Sequence, residues 1–368
     1  MTQSRRSRRL FAGSNTPRGF VSFFDQIVPR RDARRFIILK GGPGTGKSTL
    51  MRRLAEEGEA LGLEVERFHC SSDPDSLDAV FFPRAGFAVV DGTSPHVIDP
   101  EFPGAVDEIV HLGLHWDEAG LRAHREEIAA LRDEIRRAYR RAYRYLAAAR
   151  TVQDEIEAVY GELLDWGRVN AMAEELAAAA LPQRPPAAAP GRIRRLFAGA
   201  VTPKGPLHFL SDAAGGARRV LLITGPPGPA RASLVESLVR LAAVRGWDVE
   251  CFHCPFAPDR VEHAVIPGLG LAVVTSAPPH AWPGRAERVF DAGRALDAGG
   301  LGSRRRELKE AEDERSRLFS LAVAALSEAR ACHARLERYY VPHMDFAAVD
   351  GVAALLREKL FSSLPGVS

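Results

Sequence analysis

Nine residues near the start of the chain combine closely spaced glycines with a lysine and three hydroxyl side chains. Residues 41–49 read GGPGTGKST, match the pattern G-x-x-x-x-G-K-[ST], and follow the apolar run 36–39. In such a loop the backbone N–H groups point at phosphate oxygens, the lysine reaches the terminal phosphates, and the next hydroxyl binds Mg²⁺. We therefore predict that ATP and Mg²⁺ are bound by Gly41, Gly42, Pro43, Gly44, Thr45, Gly46, Lys47, Ser48 and Thr49.

An acid that could complete the metal site follows a predicted strand. Asp91 ends the apolar run 87–90, and the carboxyl ends of parallel strands meet at the edge of a sheet where ligands bind. We predict that Asp91 and Ser48 are the metal residues. Gly92 follows Asp91 where many hydrolytic ATPases have a glutamate, so water must be activated by another group or turnover must be slow.

Other acidic residues lie in loops that should rim the same edge. Asp73 and Asp99 are in the segments 71–75 and 94–99. We predict that they are catalytic candidates beside Lys47 and Asp91. His96 ranks below them because the repeat described next retains it as His280, which favours a structural role.

The chain contains the same pattern twice. RRLFAG at residues 8–13 recurs at 194–199, a spacing of 186, and the FHC sequence at 68–70 recurs at 252–254, a spacing of 184. Asp117 then matches Asp297 at a spacing of 180. Two small gaps therefore relate the halves, and the repeat has the size of a domain.

The phosphate loop is where the two copies differ. Residues 225–233 read GPPGPARAS, so Arg231 replaces Lys47 and Ala232 replaces Ser48, while Thr275 stands where the first copy has Asp91. The favoured interpretation is a decayed duplicate that is empty or binds nucleotide weakly. The alternative is that Arg231 faces the first site and supplies positive charge there, as an arginine finger does.

Alternating strands and helices indicate an α/β fold. Strands are predicted at 36–40, 64–68 and 87–90 and a helix at 47–61, which is typical of a parallel sheet with flanking helices. We predict tandem duplicated P-loop NTPase domains, each with a long helical or coiled-coil arm. They are an active domain at 1–181 with its arm at about 117–164, a Pro/Ala-rich linker at 182–191, and a degenerate domain at 192–368 with its arm at about 297–341.

The predicted arms carry an apolar seam. No Gly or Pro interrupts residues 121–160, where a seven-residue apolar pattern is typical of a coiled coil. The second copy keeps the pattern through 301–339, broken by Arg315. Such helices would extend roughly 60 Å. We expect them to pair into one arm that a protein partner could contact.

Composition limits the classes of partner. The formal net charge is +3, so a dedicated nucleic-acid binder is disfavoured but not excluded, and arginines 5, 6, 8 and 9 are interpreted as a solvated basic segment. The sequence has no apolar run of 18 residues and no apolar signal core after its first arginines. We expect a cytoplasmic protein that does not enter a membrane.

Several of these segments together resemble a known family. The paired RLFA and T-P-x-G segments, the phosphate loop, the paired FHC and the YVPHMDF stretch at 340–346 resemble duplicated bacterial P-loop ATPases of unassigned function, sometimes labelled nucleotide kinases. The resemblance implies the fold and nucleotide binding but no substrate. The second copy of that family often has an intact phosphate loop, so Arg231 and Ala232 depart from the pattern.

Three functions are compatible with these residues. The first is a slow Mg-dependent ATPase that uses nucleotide state to switch the packing of the two halves and the arm. The second is a kinase for a nucleotide or another small acceptor, with arginines of the helical region as a lid. The third is a non-catalytic ATP-binding interaction module. The long arm favours the first.

Overall fold

The computed structural model describes residues 7–278 and 280–362, which form two six-stranded sheets with a four-stranded sheet between them. The strands are β1 (Ser7–Leu10), β2 (Gly13–Thr16), β3 (Gly19–Ser22), β4 (Arg35–Lys40), β5 (Val65–His69), β6 (Leu77–Phe82), β7 (Phe87–Asp91), β8 (Asp107–His111), β9 (Ile193–Leu196), β10 (Gly199–Thr202), β11 (Gly205–His208), β12 (Arg219–Thr224), β13 (Val249–Cys254), β14 (Ala257–Ile266), β15 (Leu271–Thr275) and β16 (Arg288–Asp291).

The two large sheets have the same strand order. The first runs β1-β5-β6-β7-β4-β8, and the second runs β9-β13-β14-β15-β12-β16. The expected α/β class is confirmed, but the prediction of a parallel sheet is wrong, because β6 and β14 pair antiparallel with both of their neighbours. Residues 83–86 alone join β6 to β7, and so short a connection can form a hairpin but not a crossover.

The described part of the chain also contains eight α-helices. They are α1 (Lys47–Ala60), α2 (Glu118–Ala123), α3 (Arg125–Glu162), α4 (Trp166–Ala180), α5 (Leu210–Ala213), α6 (Pro229–Val244), α7 (Ala298–Tyr340) and α8 (Phe346–Phe361). None of the helices in these ranges combines the length and the apolar composition that a bilayer span requires.

Helices α3 and α7 pair antiparallel over most of their length, as the seam predicted. Arg304 Nη2 donates to Glu162 Oε2 at 2.9 Å near one end, and Arg335 Nη1 donates to Glu134 Oε2 at 3.0 Å near the other. The expectation of a projecting arm is wrong. The pair lies across the central sheet, where Tyr143 Oη donates to Asn15 Oδ1 at 3.0 Å. Burial against the body explains why α3 also buries Leu146 outside its predicted seam.

The helix that follows each long helix packs on the other half of the chain. Helix α4 packs its Val169 and Leu176 against Leu221 and Leu234 of the second half. Helix α8 joins the core of the first half, in a cluster that contains Leu360, Phe361, Ile37, Leu39 and Leu50. The division of the sequence at 182–191 stays a prediction, but packing contacts cross it in both directions.

The central sheet and the sheet edges join the halves about an approximate twofold axis. Asn15 of β2 pairs with Val201 of β10, which is its own counterpart at the spacing of 186. Phe11 and Phe197, also counterparts, exchange backbone hydrogen bonds of 3.1 and 3.0 Å. The repeated RRLFAG segment therefore lies at the interface between the two halves.

Four charged residues lie at the same interface, and we call them the charge quartet: the buried Arg8, Glu66 and Glu250 and the half-buried Arg194. Arg8 Nε donates to Glu66 Oε1 at 2.8 Å, and its Nη1 donates to Glu250 Oε2 at 2.7 Å. Arg194 contacts the same two carboxylates at 2.6 and 3.0 Å. Paired arginines hold the pKa of Glu66 below its usual value although burial acts to raise it. The interpretation of Arg8 as part of a solvated segment is wrong; arginines 5 and 6 lie outside the described residues.

We predict that Arg8→Ala lowers the free energy of unfolding by about 3 kcal/mol, because it leaves two buried glutamates with one arginine. Arg9→Ala is the matched control. The Arg9 side chain is 53% exposed and pairs with Asp212, so its loss should lower stability by about 1 kcal/mol or less. Urea unfolding of the full chain measures both. Equal losses in the two variants would contradict a special role for the charge quartet.

Candidate functional site

The candidate site is the loop 41–46, which joins β4 to α1 at the carboxyl end of the first sheet. Gly44 and Gly46 have backbone φ angles of +68° and +85°. Residues other than glycine adopt such positive φ angles only with strain. Thr45 is buried, and its Oγ1 donates to the Gly42 carbonyl at 3.0 Å. Pro43 is half-buried in the loop, and Thr49 is exposed on α1. The backbone therefore curves around Lys47.

Lys47 lies inside this curve. Its Nζ donates to the carbonyl oxygens of Gly41 and Gly42 at 2.8 and 2.9 Å. The same atom is 3.5 Å from Asp91 Oδ2. This proximity follows from the parallel pairing of β4 with β7, which sets Leu39 opposite Asp91. The structure thus brings together the lysine and the acid that the sequence pattern selected.

Ser48 and Asp91 offer the oxygen ligands that Mg²⁺ prefers. Ser48 Oγ accepts a hydrogen bond from Leu77 N at 2.9 Å. Asp91 Oδ1 accepts from Thr93 N and Oγ1 at 2.9 and 2.6 Å, while Oδ2 faces Lys47. Within residues 7–278 and 280–362, no group of three or more His, Cys, Asp or Glu side chains could hold a metal. The two residues fit Mg²⁺ as it is usually bound, by one or two protein oxygens together with substrate phosphates.

The other two acidic candidates lie in different surroundings. Asp73 Oδ2 accepts from Ser76 Oγ at 2.8 Å and from Arg330 Nη2 of α7 at 3.0 Å. The Asp99 side chain is 85% exposed, and Lys40 Nζ is 3.8 Å from it. The Lys40 amine donates to the Gly92 and Ile98 carbonyls, so its ion pair with Asp99 is secondary. Asp99 is therefore not held beside Lys47 as Asp91 is.

His96 has the surroundings of a structural residue. It is buried and stacks on Phe24 with the ring centroids 4.3 Å apart. Burial alone would lower the pKa of His96, but the carboxylate of Asp78, 3.6 Å away, outweighs it and raises that pKa.

Residues of the second half cover the phosphate loop, which the sequence did not predict. A Cβ atom added at Gly44 would lie 2.9 Å from Val341 Cγ2, and one at Gly42 would lie 3.4 Å from Tyr340. One at Gly46 would lie 3.6 Å from Val349 of α8. The sequence analysis gives the stretch 340–346 no role at the nucleotide site. Its position over the loop depends on where the paired helices α3 and α7 lie against the two sheets, which local patterns do not reveal.

Charged residues of α7 also face this site. Burial lowers the pKa of His333, and the positive charges of Arg330 and Lys47 lower it further against the opposite effects of Glu337 and Asp73. Arg330 of the second half pairs with Asp73 of the first at 3.0 Å. Both halves of the chain therefore supply charge near the loop.

The corresponding place in the second half is a cavity. Arg231 and Thr275, the counterparts of Lys47 and Asp91, both line it. None of its described lining residues belongs to the loop 41–49. The position of Arg231 thus gives no support to the alternative that it supplies charge to the first site.

Comparisons with known proteins do not add to this description. No protein-family model, no curated protein and no solved structure matches the chain. The resemblance to duplicated P-loop ATPases therefore stays a prediction from the sequence.

We predict that Gly44→Ala destabilises the protein more than Gly62→Ala does. Both glycines have positive φ, +68° and +77°, which costs an alanine about 1 kcal/mol or more. Only at Gly44 would the new methyl group also meet a neighbour, Val341, whereas nothing lies within 4 Å of a Cβ at Gly62. Thermal unfolding measures the difference. Adding Val341→Ala to Gly44→Ala should recover the excess loss; no recovery would contradict the contact.

Proposed function

We propose that the loop 41–49 binds Mg-ATP and that the protein is a slow Mg-dependent ATPase whose nucleotide state changes the packing between its two halves. One observation carries the proposal. A complete phosphate-loop sequence lies between a strand and a helix, with Lys47 Nζ inside the loop and 3.5 Å from Asp91 Oδ2. Backbone N–H groups at a helix N-terminus and a nearby lysine are what binds a triphosphate.

We also propose that the halves are tandem duplicated P-loop NTPase domains, the second of them degenerate. The identical order of the strands in the two large sheets supports a duplication. So does the placement of the segment 225–228, which joins β12 to α6 as the loop 41–46 joins β4 to α1. The family resemblance points the same way.

Each residue of the loop has a proposed task. Gly41, Gly42, Gly44 and Gly46 present backbone N–H groups to phosphate oxygens, and Lys47 releases its hold on the carbonyls of Gly41 and Gly42 to pair with the terminal phosphates. Ser48 and Asp91 would hold the metal. A bound Mg²⁺ would neutralise charge on the phosphate oxygens during phosphoryl transfer.

Slow turnover follows from the acid that is available. No glutamate follows Asp91, and Asp73 is already engaged by Arg330 of α7 at 3.0 Å. For Asp73 to orient a water molecule, this ion pair must loosen. We propose that Asp73 takes this role only when α7 shifts.

The coupling between nucleotide and packing rests on the cover of the loop. Val341, Phe346 and Val349 all lie within van der Waals range of the glycine positions, and they belong to the end of α7 and to α8. Phosphates entering the loop would meet these residues directly. We propose that α7 and α8 move on the loop as nucleotide binds and is hydrolysed.

We predict that Lys47→Ala lowers the affinity for Mg-ATP by about a hundredfold, because the only side-chain cation inside the loop is removed. Arg231→Ala is the matched control at the counterpart position, and it should leave Mg-ATP affinity unchanged. Isothermal titration calorimetry should give one Mg-ATP per chain. Unchanged affinity in Lys47→Ala, or two equivalent sites, would overturn the assignment.

We predict that Asp91→Asn keeps ATP binding but lowers phosphate release by about tenfold or more, since loss of a group that supports a metal has effects of this size. The remaining binding should depend less on Mg²⁺ concentration. Phosphate release and phosphorylation of added nucleotide acceptors are measured on the same samples. Normal Mg²⁺ dependence in Asp91→Asn would move the metal role to another acid, and acceptor phosphorylation in place of phosphate release would favour a kinase.

A further inference from the structure

The second half contains a cavity of about 390 Å³ that the proposed ATPase reaction does not use. It lies where the segment 225–228 and the carboxyl ends of β13 and β15 meet the long helices α3 and α7. Small-molecule sites in proteins usually enclose about 300 to 1,000 Å³. The cavity is therefore large enough for a small organic ligand.

The charges around this cavity are unbalanced. Four arginines and two glutamates line it, an excess of two positive charges. Arg150 and Arg260 both pair with the Glu157 carboxylate. Arg315 Nη1 donates to Gln153 Oε1 at 2.7 Å, a neutral partner. Neither Arg315 nor Arg231 forms an ion pair with a described residue.

Arg231 is the less satisfied of these two. Its guanidinium makes no hydrogen bond to a described residue, and Glu262 acts on it only at longer range than an ion pair. Burial lowers the pKa of Arg231, against the weaker effects of Glu262, Cys254 and Glu157. Arg231 is half-buried and lines the cavity. A cation that has no close anionic partner favours the entry of an anion.

Part of the cavity wall is aromatic. Phe256 and Phe319 form an edge-to-face pair with centroids 5.7 Å apart. Val201, Pro206 and Val261 extend the apolar surface. A flat apolar group could pack against this wall, because aromatic side chains favour stacked or edge contacts with other rings.

A Mg-triphosphate does not suit this cavity. Ala232 and Thr275 replace the two metal residues of the first half, and Pro227 and Pro229 have no backbone N–H to donate. Arginine, in contrast, binds a single phosphate group through two parallel hydrogen bonds and needs no metal.

We propose that this cavity binds an organic phosphate monoester, with its dianionic phosphate held by Arg231 and Arg315 and a flat apolar group against Phe256 and Phe319. The proposal accounts for two features that the ATPase leaves without a use. These are the arginine in place of the loop lysine and Arg315, which interrupts the apolar seam of α7.

The test is calorimetric titration of the full-length chain without Mg²⁺, using phenyl phosphate as the probe and inorganic phosphate and phenol as its separate parts. Phenyl phosphate should bind once per chain, and each part should bind at least about tenfold more weakly, since each makes only half of the contacts. Adenosine monophosphate is titrated in the same way. If adenosine monophosphate binds more tightly than phenyl phosphate, the site is assigned to nucleoside monophosphates. If it binds more weakly, the site is assigned to smaller aryl phosphates.

Variants identify the cavity as the site of binding. Arg231→Met and Arg315→Met should each weaken phenyl phosphate binding at least about tenfold, as loss of a charge-assisted phosphate contact does. Arg240→Met, on the exposed face of the same helix α6, should leave binding unchanged. Arg231→Lys should retain part of the affinity, which separates loss of charge from loss of fold. Lys47→Ala should have no effect.

Four results would overturn the proposal. If phenyl phosphate does not bind at millimolar concentration, the cavity does not bind aryl phosphates. Unchanged binding in both methionine variants places the ligand elsewhere, and lost binding in Lys47→Ala places it in the first loop. If inorganic phosphate binds as tightly as phenyl phosphate, Phe256 and Phe319 do not contribute to binding. None of these results depends on whether the first loop hydrolyses ATP.

Discussion

The charge quartet of Arg8, Glu66, Arg194 and Glu250 fixes how the two halves of this protein face each other. Each edge strand supplies one arginine beside the glutamate of its neighbouring strand, Arg8 opposite Glu66 and Arg194 opposite Glu250. Burying one such pair alone would be unfavourable, because desolvation of two charges can exceed their attraction. When the edges meet, both carboxylates gain a second arginine. The halves are thus stable mainly in the arrangement that brings all four together, and the crossing of α3 and α7 follows from it.

Within this frame the two halves share one strand order but differ in the residues at matching places. The first has Lys47, Ser48 and Asp91 around its loop, and the second has Arg231, Ala232 and Thr275. One helix contacts both places. Helix α7 contributes Arg315 to the second cavity and Arg330 to the surroundings of Asp73. A displacement of α7 along its axis would therefore move Arg315 and Arg330 together, because a continuous helix moves along its whole length.

Features that depend on neighbouring residues could be predicted from the sequence. The phosphate loop, the strand ending at Asp91 and the pairing of the long helices all follow from short-range patterns, and the structure contains each of them. Features that depend on distant residues could not. The burial of Arg8 requires Glu250 from the other half, and the cover over Gly44 requires Val341. Strand β6 was not predicted either, although it lies next to β7 in the sequence. The two strands form a hairpin with its turn at residues 83–86.

The exchange of α4 and α8 between the halves has a consequence for how the chain is made. The outer face of the first sheet, with Ile37 and Leu39, is covered by α1 and by α8, yet α8 begins only at Phe346. At about 5 to 20 residues per second, roughly 300 residues separate the synthesis of β4 from that of its cover, a delay of about 15 to 60 s. The second sheet has no such delay, since α4 precedes it in the chain. During translation part of the apolar face of the first sheet therefore stays uncovered until α8 has left the ribosome.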